Sequence, residues 1–434
     1  MKKKLCSLLF YFGCITVSNA QMNVLFIESD DQSNQTVQAY GNKKMITPNI
    51  DALASEGVSF TAAYNMGCWS PAVCIPSRTM LFYGKYLWES QNISKQNSPK
   101  ALSEEFKDNG YYTFMTGKWH AMGKNATEVF DQTGSIQPGQ LKTYNAPAGH
   151  ITDITANEAV AFLKNYNDKK PFFAYVAFNA PHVPRQTEQK YYDLYPTEGI
   201  TLPPSMVDKS PFNPNVKYQY TSNPIRAAEM KKTVQQNNAM VTHMDTRIGE
   251  IIQALKDKNL YNKTIIVFTS DHGINFGENA VAGKVCLYEP SVTAPLIIKA
   301  PKIAANSKID QRVYLQDIGP TLTDMLGFKN SKDSKFQSLI PIITKKGKAR
   351  ESIYLAMFDD QRAIIAKNKK LIVYPKTADL EYYDLIKDPW ETNNLIKATS
   401  SKANIKLLLK QLKDWQAETN DLTDLSPIYN QYLN

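Results

Sequence analysis

Cysteine is scarce, with five in 434 residues, and the way those five divide excludes a disulfide-built scaffold. Cys6 and Cys14 fall within the first twenty residues, which have the layout of an export signal. Lys2, Lys3 and Lys4 precede an apolar run over 5–17, and Ser18-Asn19-Ala20 supplies a small-residue cleavage site. Cleavage there leaves Gln21 first, with Cys68, Cys74 and Cys286. An odd number in an exported chain excludes full pairing, so at least one sulfur is free for another task, and whether Cys68 and Cys286 pair stays open. Long apolar runs are also missing: the leader is too short to span a bilayer and nothing later is long enough. A soluble protein, periplasmic or secreted, with no membrane span is therefore expected. Basic blocks interleaved with aromatics are absent as well, which argues against a nucleic-acid partner. The formal charge of +9 falls to +6 without the leader lysines. That mild bias toward an anionic partner is equally the signature of scattered, solvated lysines.

What remains after the leader exceeds a single hydrophobic core and predicts one large domain with a smaller one. Residues 23–28 form a mostly apolar run that stops just before Asp30 and Asp31, which reads as a buried strand with two carboxylates at its C-terminal end. Comparable runs lie at 112–115, 172–178, 264–268 and 295–298. The first is followed by Lys118 and His120, the second by His182 and the third by Asp271 and His272. Helical periodicity occupies 49–56, 154–165, 227–256 and 317–326. Alternating strands and helices predict an α/β fold, a sheet with helices on both faces, whose site lies outside the carboxyl ends of the strands. Over 191–224 the pattern lapses into Pro, Tyr and Ser and reads as a long insertion over one rim. Short strands at 364–365, 371–374 and 381–385 then precede an amphipathic helix at 405–415. The expected organisation is a leader over 1–20, a catalytic domain over 21–345 and a C-terminal α+β subdomain over 346–434 with a small antiparallel sheet and a helix.

The segment Cys74-Ile75-Pro76-Ser77-Arg78, with Gly84 six residues beyond the arginine, carries the decisive chemistry. Alone it also describes a buried cysteine ahead of a proline-started helix. It resembles the signature of the type I, formylglycine-dependent sulfatases of the alkaline phosphatase superfamily, in which a formylglycine-generating or anaerobic sulfatase-maturating enzyme oxidises the cysteine. That resemblance implies a large mixed sheet sandwiched by helices, with a smaller C-terminal α+β subdomain. It also implies hydrolysis of sulfate esters with one Ca2+ and 3-oxoalanine (formylglycine) at Cys74. The chemistry explains the residue: a hydrated aldehyde carries two hydroxyls on one carbon, so one attacks sulfur and the other later expels sulfate. A simple Ser or Cys nucleophile would be left as a stable ester.

Further elements extend the resemblance over most of the chain. The paired Asp30 and Asp31, with Thr269-Ser270-Asp271-His272-Gly273, resemble the family's metal ligands together with Cys74 itself. Hard carboxylate oxygens select calcium or magnesium over zinc. Thr116-Gly117-Lys118-Trp119-His120 resembles the element that sets a lysine on sulfate and a histidine on the formylglycine hydroxyl. His182 in Asn179-Ala180-Pro181-His182 resembles the histidine on the bridging oxygen, and Lys284 after Gly283 resembles the second sulfate lysine. The resemblance gives Arg78 the task of orienting the nucleophile and the carboxylates through its planar fork. Each of these residues alone has a blander reading, as a cap, a turn or a solvated lysine. The census of histidines shifts that balance, because three of five, His120, His182 and His272, fall on such elements; His150 and His243 read as structural. The spacing is closest to the iduronate-type and polysaccharide sulfatases, which implies a sulfated polysaccharide or glycosaminoglycan as substrate. Two departures stand out: Phe82-Tyr83-Gly84-Lys85 where the family usually has Leu-Thr-Gly-Arg, and Thr293-Ala294-Pro295 where it often has Arg-Val-Pro. Two other functions fit the same residues, a phosphate or phosphonate ester hydrolase of the superfamily and a non-catalytic glycan-binding protein.

Overall fold

The computed structural model describes residues 21–207, 226–301, 303–328 and 333–433. The expected leader over 1–20 and the 208–224 part of the expected insertion lie outside the described residues. Among the described residues, the main sheet is built from β1 Asn23–Ser29, β2 Val58–Phe60, β3 Tyr112–Lys118, β4 Gln132–Gln137, β5 Phe172–Ala177, β6 Thr264–Ser270, β7 Leu296–Lys299 and β8 Ser307–Ile309. Their order is β8-β2-β7-β6-β1-β5-β3-β4. Strands β6, β1, β5, β3 and β4 run parallel, and β7 runs antiparallel to both β6 and β2, which makes the sheet mixed.

The central strands read as continuous apolar runs because both of their faces are buried. Successive side chains alternate between two cores. Val24 and Phe26 of β1 and Ile265 and Val267 of β6 join one core, while Leu25, Ile27, Ile266 and Phe268 join the other. Helix α1 (Pro48–Glu56), α3 (Ile151–Asn165) and α4 (Ala227–Asp257) cover the second face. In α4, Met240, Met244, Ile248, Ile251, Ile252 and Leu255 recur at three- and four-residue intervals and point into that core. The opposite face is closed by α2 (Cys74–Tyr83), where Phe82 packs edge-on against Trp119, Phe130 and Tyr175. The aromatic that stands where the family usually has Leu is thus a core residue.

Three strands of the main sheet have no counterpart among the apolar runs. β4 and β8 lie at the sheet edges and are largely solvent-facing, so pairing rather than burial makes them strands. β2 is only three residues long. A second sheet takes β9 Ser352–Met357, β10 Gln361–Ala366, β11 Lys369–Tyr374 and β12 Asp379–Asp384 as antiparallel neighbours. Helix α5 (Lys402–Thr419) buries Ile405, Leu408, Leu409 and Leu412 against it. A short strand, Gly67–Cys68, pairs in parallel with β9. The second sheet therefore braces the segment that leads into Cys74. Cys68, Cys74 and Cys286 are all free and buried, and no helix among the described residues is long and apolar enough to cross a membrane.

Candidate active site

Strand register gathers groups that the chain keeps far apart. β1 and β6 place Ser29 opposite Ser270, so Asp30-Asp31 and Asp271-His272 leave the sheet side by side. The backbone N–H of Asp31 donates to Asp271 Oδ1 at 3.2 Å across a separation of 240 residues. On the other side of β1, Glu28 stands opposite Ala177 of β5, and the loop that follows brings in His182. Next in order is β3, which ends at Lys118 with Gly117 opposite Ala177. Gly117 has φ 92°, and a Cβ there would lie 1.9 Å from the Ala177 carbonyl oxygen, so only glycine lets the strands meet beside Lys118. Gly273 is constrained likewise, since its Cβ would lie 2.1 Å from the Pro290 oxygen.

Helix α2 enters the same edge with Cys74 in its first turn. Spacing by four puts Cys74 and Arg78 on one face, with Ser77 beside them. Cys74 Sγ lies 3.3 Å from Asp30 Oδ1, 3.4 Å from His272 Nε2 and 3.4 Å from Lys284 Nζ. Ser77 Oγ donates to the Asp271 carbonyl at 2.6 Å. Arg78 is wholly buried and donates through Nε to Asp271 Oδ2 at 3.1 Å and through a terminal nitrogen to the Tyr175 hydroxyl at 2.8 Å. The same nitrogen is 2.8 Å from Glu28 Oε2. Lys118 pairs with Asp30, and Lys284 Nζ lies 2.7 Å from Asp31 Oδ1.

The charges shape one another. Burial opposes ionisation of Asp31, yet Lys284, His182 and His272 overcome it and hold the carboxyl below its usual range. Burial likewise opposes ionisation of Asp271, and His272, Arg78, Lys118 and Lys284 hold it well below its usual value. Burial, with Asp30 adding to it, pushes the Cys74 thiol up, so the bare thiol is protonated and a poor nucleophile. His272 Nδ1 lies 2.9 Å from the Gly273 carbonyl, and His182 Nδ1 lies 2.7 Å from the Val183 carbonyl. A carbonyl only accepts, so each Nδ1 carries a proton and each ring turns its Nε2 toward the acids. His272 Nε2 sits 3.3 Å from Asp31 Oδ1, and His182 Nε2 sits 3.8 Å from Asp31 Oδ2.

Two overlapping sets, Asp30, Cys74, Asp271 and His272, and Asp30, Asp31, Cys74 and His182, each place their ligand atoms within 4.8 Å of one another. Three buried carboxylates, with imidazole Nε2 atoms beside them, fit a hard dication. His120 stands apart from these sets. Its Nδ1 is buried without a hydrogen-bond partner among the described residues, and burial together with Lys118 and Arg78 lowers it to about 3, leaving the imidazole neutral. Two residues of the site belong to none of the sequence motifs, Glu28 and Tyr175. The Tyr175 hydroxyl donates to Glu28, and burial raises the Glu28 carboxyl to about 7 against the pull of Arg78. A signal for them does exist: an acid inside an otherwise apolar strand demands a buried partner. His150 and His243 lie elsewhere. His150 Nδ1 accepts from the Thr152 N–H at the start of α3, and His243 lies between Asp153 and Thr187.

Comparison with known proteins joins this geometry to a family. The sulfatase family profile matches residues 22–328, and that of the N-sulphoglucosamine sulphohydrolase C-terminal region matches 277–418. A sulfatase of Formosa agariphila is 30% identical, over 92% of this chain and 88% of that protein. An N-acetylglucosamine-6-O-sulfatase of Bacteroides thetaiotaomicron is 25% identical, over 92% of this chain and 87% of that protein. The fold is shared with a protein solved in complex with its substrate D-glucosamine-2-N,6-O-disulfate, at a TM-score of 0.80 and 23% identity, covering 94% of this chain and all of that one. A profile that spans most of the described residues and a relative matched along nearly its whole length lead to one conclusion: the chain belongs to the sulfatase family and is a sulfuric ester hydrolase.

Proposed function

We propose that this sulfatase hydrolyses a sulfate ester on a carbohydrate, a sulfated polysaccharide or glycosaminoglycan, using formylglycine at position 74 and one calcium ion. The observation that carries the reading is the meeting of Cys74 Sγ with Asp30, Asp271 and His272 in one buried cluster. The relative that acts on N-acetylglucosamine 6-O-sulfate supports the carbohydrate class. Asp30, Asp31 and Asp271 would hold calcium, with His272 and residue 74 beside them. When bound, the ion supplies charge that favours an ionised hydroxyl and offsets the negative charge of sulfate. Formylglycine, once hydrated, supplies the two hydroxyls needed for attack on sulfur and for release of sulfate. A maturating enzyme, formylglycine-generating or anaerobic, makes it, and the leader over 1–20 directs the protein to the periplasm or beyond.

The chain's own side chains do the rest. Lys284 lies against Cys74 and Lys118 against Asp30, so both ammonium groups border the place where sulfate must sit. Fixed cations there stabilise the charge that spreads over the sulfate oxygens as the ester breaks. His182, with Nδ1 tied to a carbonyl, turns Nε2 inward to hold the bridging oxygen and pass a proton to the leaving alcohol. By its resemblance to the family's motif, His120 would hydrogen-bond the residue-74 hydroxyl, and Arg78 holds Asp271 and Glu28.

Lys118→Ala and Lys284→Ala are each expected to lower kcat/KM on an aryl sulfate by about 10²- to 10³-fold, roughly 3 kcal/mol, as for the loss of one oxyanion donor. Wild-type rates in either variant would remove that lysine from the site. The whole reading is tested by mass spectrometry of the tryptic peptide holding residue 74, from the native host, together with sulfate release from a panel of defined sulfated saccharides. An unmodified thiol with no sulfate release would overturn it. Faster turnover of aryl phosphate than of aryl sulfate would favour the phosphoester alternative.

A further inference from the structure

We propose that Arg185, with the aromatic cleft reached through Phe276, recognises a second anionic group on the saccharide, a carboxylate or a further sulfate beside the ester that is cleaved. The inference rests on the reading of the enzyme as a carbohydrate sulfatase and adds a specificity-determining residue to it.

Arg185 follows His182 by three residues on the loop that leaves β5, and burial lowers its guanidinium from the usual value while the Asp31 carboxylate opposes that shift. It therefore stands at the margin of the reaction centre. The other cations there are committed: Arg78 to Glu28 and Asp271, Lys118 to Asp30, Lys284 to Asp31. Arg185 makes no ion pair among the described residues. Its Nε is buried without a hydrogen-bond partner, and its guanidinium lies 5.7 Å from the centre of the Phe276 ring. A guanidinium presents five donors in a planar fork matched to a carboxylate or sulfate. Leaving the Nε donor desolvated and unpaired costs free energy that an anionic ligand would recover.

Phe276 also lines a cleft of about 680 Å³, whose walls include Tyr40, Asn42, Tyr195, Asn238 and Trp390. Aromatic faces with a few amides suit a sugar ring, stacking on its C–H face and bonding its hydroxyls. Thr36, on the same wall, follows Asp31 by only five residues. Phe276 faces Ala282 in a short hairpin whose second strand runs directly into Lys284, so one wall of the cleft is tied to the catalytic cluster, and Arg185 lies against that ring. A substrate with its ester at Cys74 and its next ring in the cleft carries its additional charge past Arg185.

The test compares matched saccharides with and without the second anionic group in wild type, Arg185→Ala, Arg185→Gln and Arg185→Lys. One pair differs by a uronic carboxylate and the other by a second sulfate. The expected result is a fall of at least tenfold in the kcat/KM ratio of anionic to neutral substrate in the Ala and Gln variants. The fall should come through KM, be partly restored by Lys, and occur in the arm that identifies the anion. Calorimetric binding of the same saccharides reads the contact even if no ester is cleaved, and should weaken for the anionic partner alone. An unchanged ratio and unchanged binding preference in both arms, with formylglycine present and sulfate released, would overturn the role of Arg185. Absence of sulfate release from every saccharide, with the binding preference still dependent on Arg185, would instead count against the reading of the reaction.

Discussion

Cys74→Ala is expected to abolish sulfate release, by a factor on the order of 10⁶, the scale seen when a covalent nucleophile is removed. The loss should occur without unfolding, because the change deletes one buried sulfur atom at the first turn of α2 and leaves Ser77 and Arg78 in place. Cys74→Ser gives the sharper result. Its hydroxyl meets the same neighbours, but its carbon bears no second oxygen, so a sulfated serine has no internal route to release. At most one turnover per active site is expected, read as a burst equal to the enzyme concentration with sulfate left on residue 74. Sustained turnover by the Ser variant would show that the second hydroxyl is dispensable and would remove the chemical reason for oxidising this cysteine.

Much of this site is legible in the amino-acid sequence, for a definite physical reason. β1 and β6 are buried on both faces, so they stand out as apolar runs, and their ends mark where polar groups must emerge. Asp30, Asp31, Asp271 and His272 are visible on that ground together with their resemblance to the family's motifs. Which strands are neighbours is not visible. Periodicity carries no information about the order β6-β1-β5-β3, or about the register that sets Ser29 against Ser270. The Glu28, Tyr175 and Arg78 cluster depends on that register: Phe26 faces Tyr175 across β1 and β5, which puts Glu28, two residues on, within reach of the Tyr175 hydroxyl. Edge strands β4 and β8 stay hidden for the opposite reason, since ladder pairing without burial leaves no apolar pattern. Lys284 is marked by the resemblance alone, whereas Lys118 also follows the apolar run at 112–115, and the geometry adds their pairing with Asp31 and Asp30 respectively.

Arg78→Ala is expected to lower both stability and activity, because Arg78 joins two acids with no solvent to fall back on. Its guanidinium reaches Glu28 at 2.8 Å and Asp271 at 3.1 Å, with side chains 2% exposed or less. Removing one partner of a buried ion pair costs about 3–5 kcal/mol, chiefly through the charge left behind. Chemical denaturation should show a loss of that order. Arg78→Lys should recover part of it and little of the activity, since a single ammonium cannot serve Glu28 and Asp271 together as the planar fork does. The pH dependence has a definite sign. Burial raises the Glu28 carboxyl to about 7 in the folded protein even with Arg78 beside it, and loss of the cation raises it further. A carboxyl whose folded value lies above its unfolded value favours the folded state at acidic pH and loses that contribution as pH rises. The stability deficit of Arg78→Ala relative to wild type should therefore widen as pH passes upward through about 7, where wild type holds an ionised Glu28 against Arg78 and the variant cannot. A deficit that is constant across that range would mean that Glu28 is not the group Arg78 holds in its charged form.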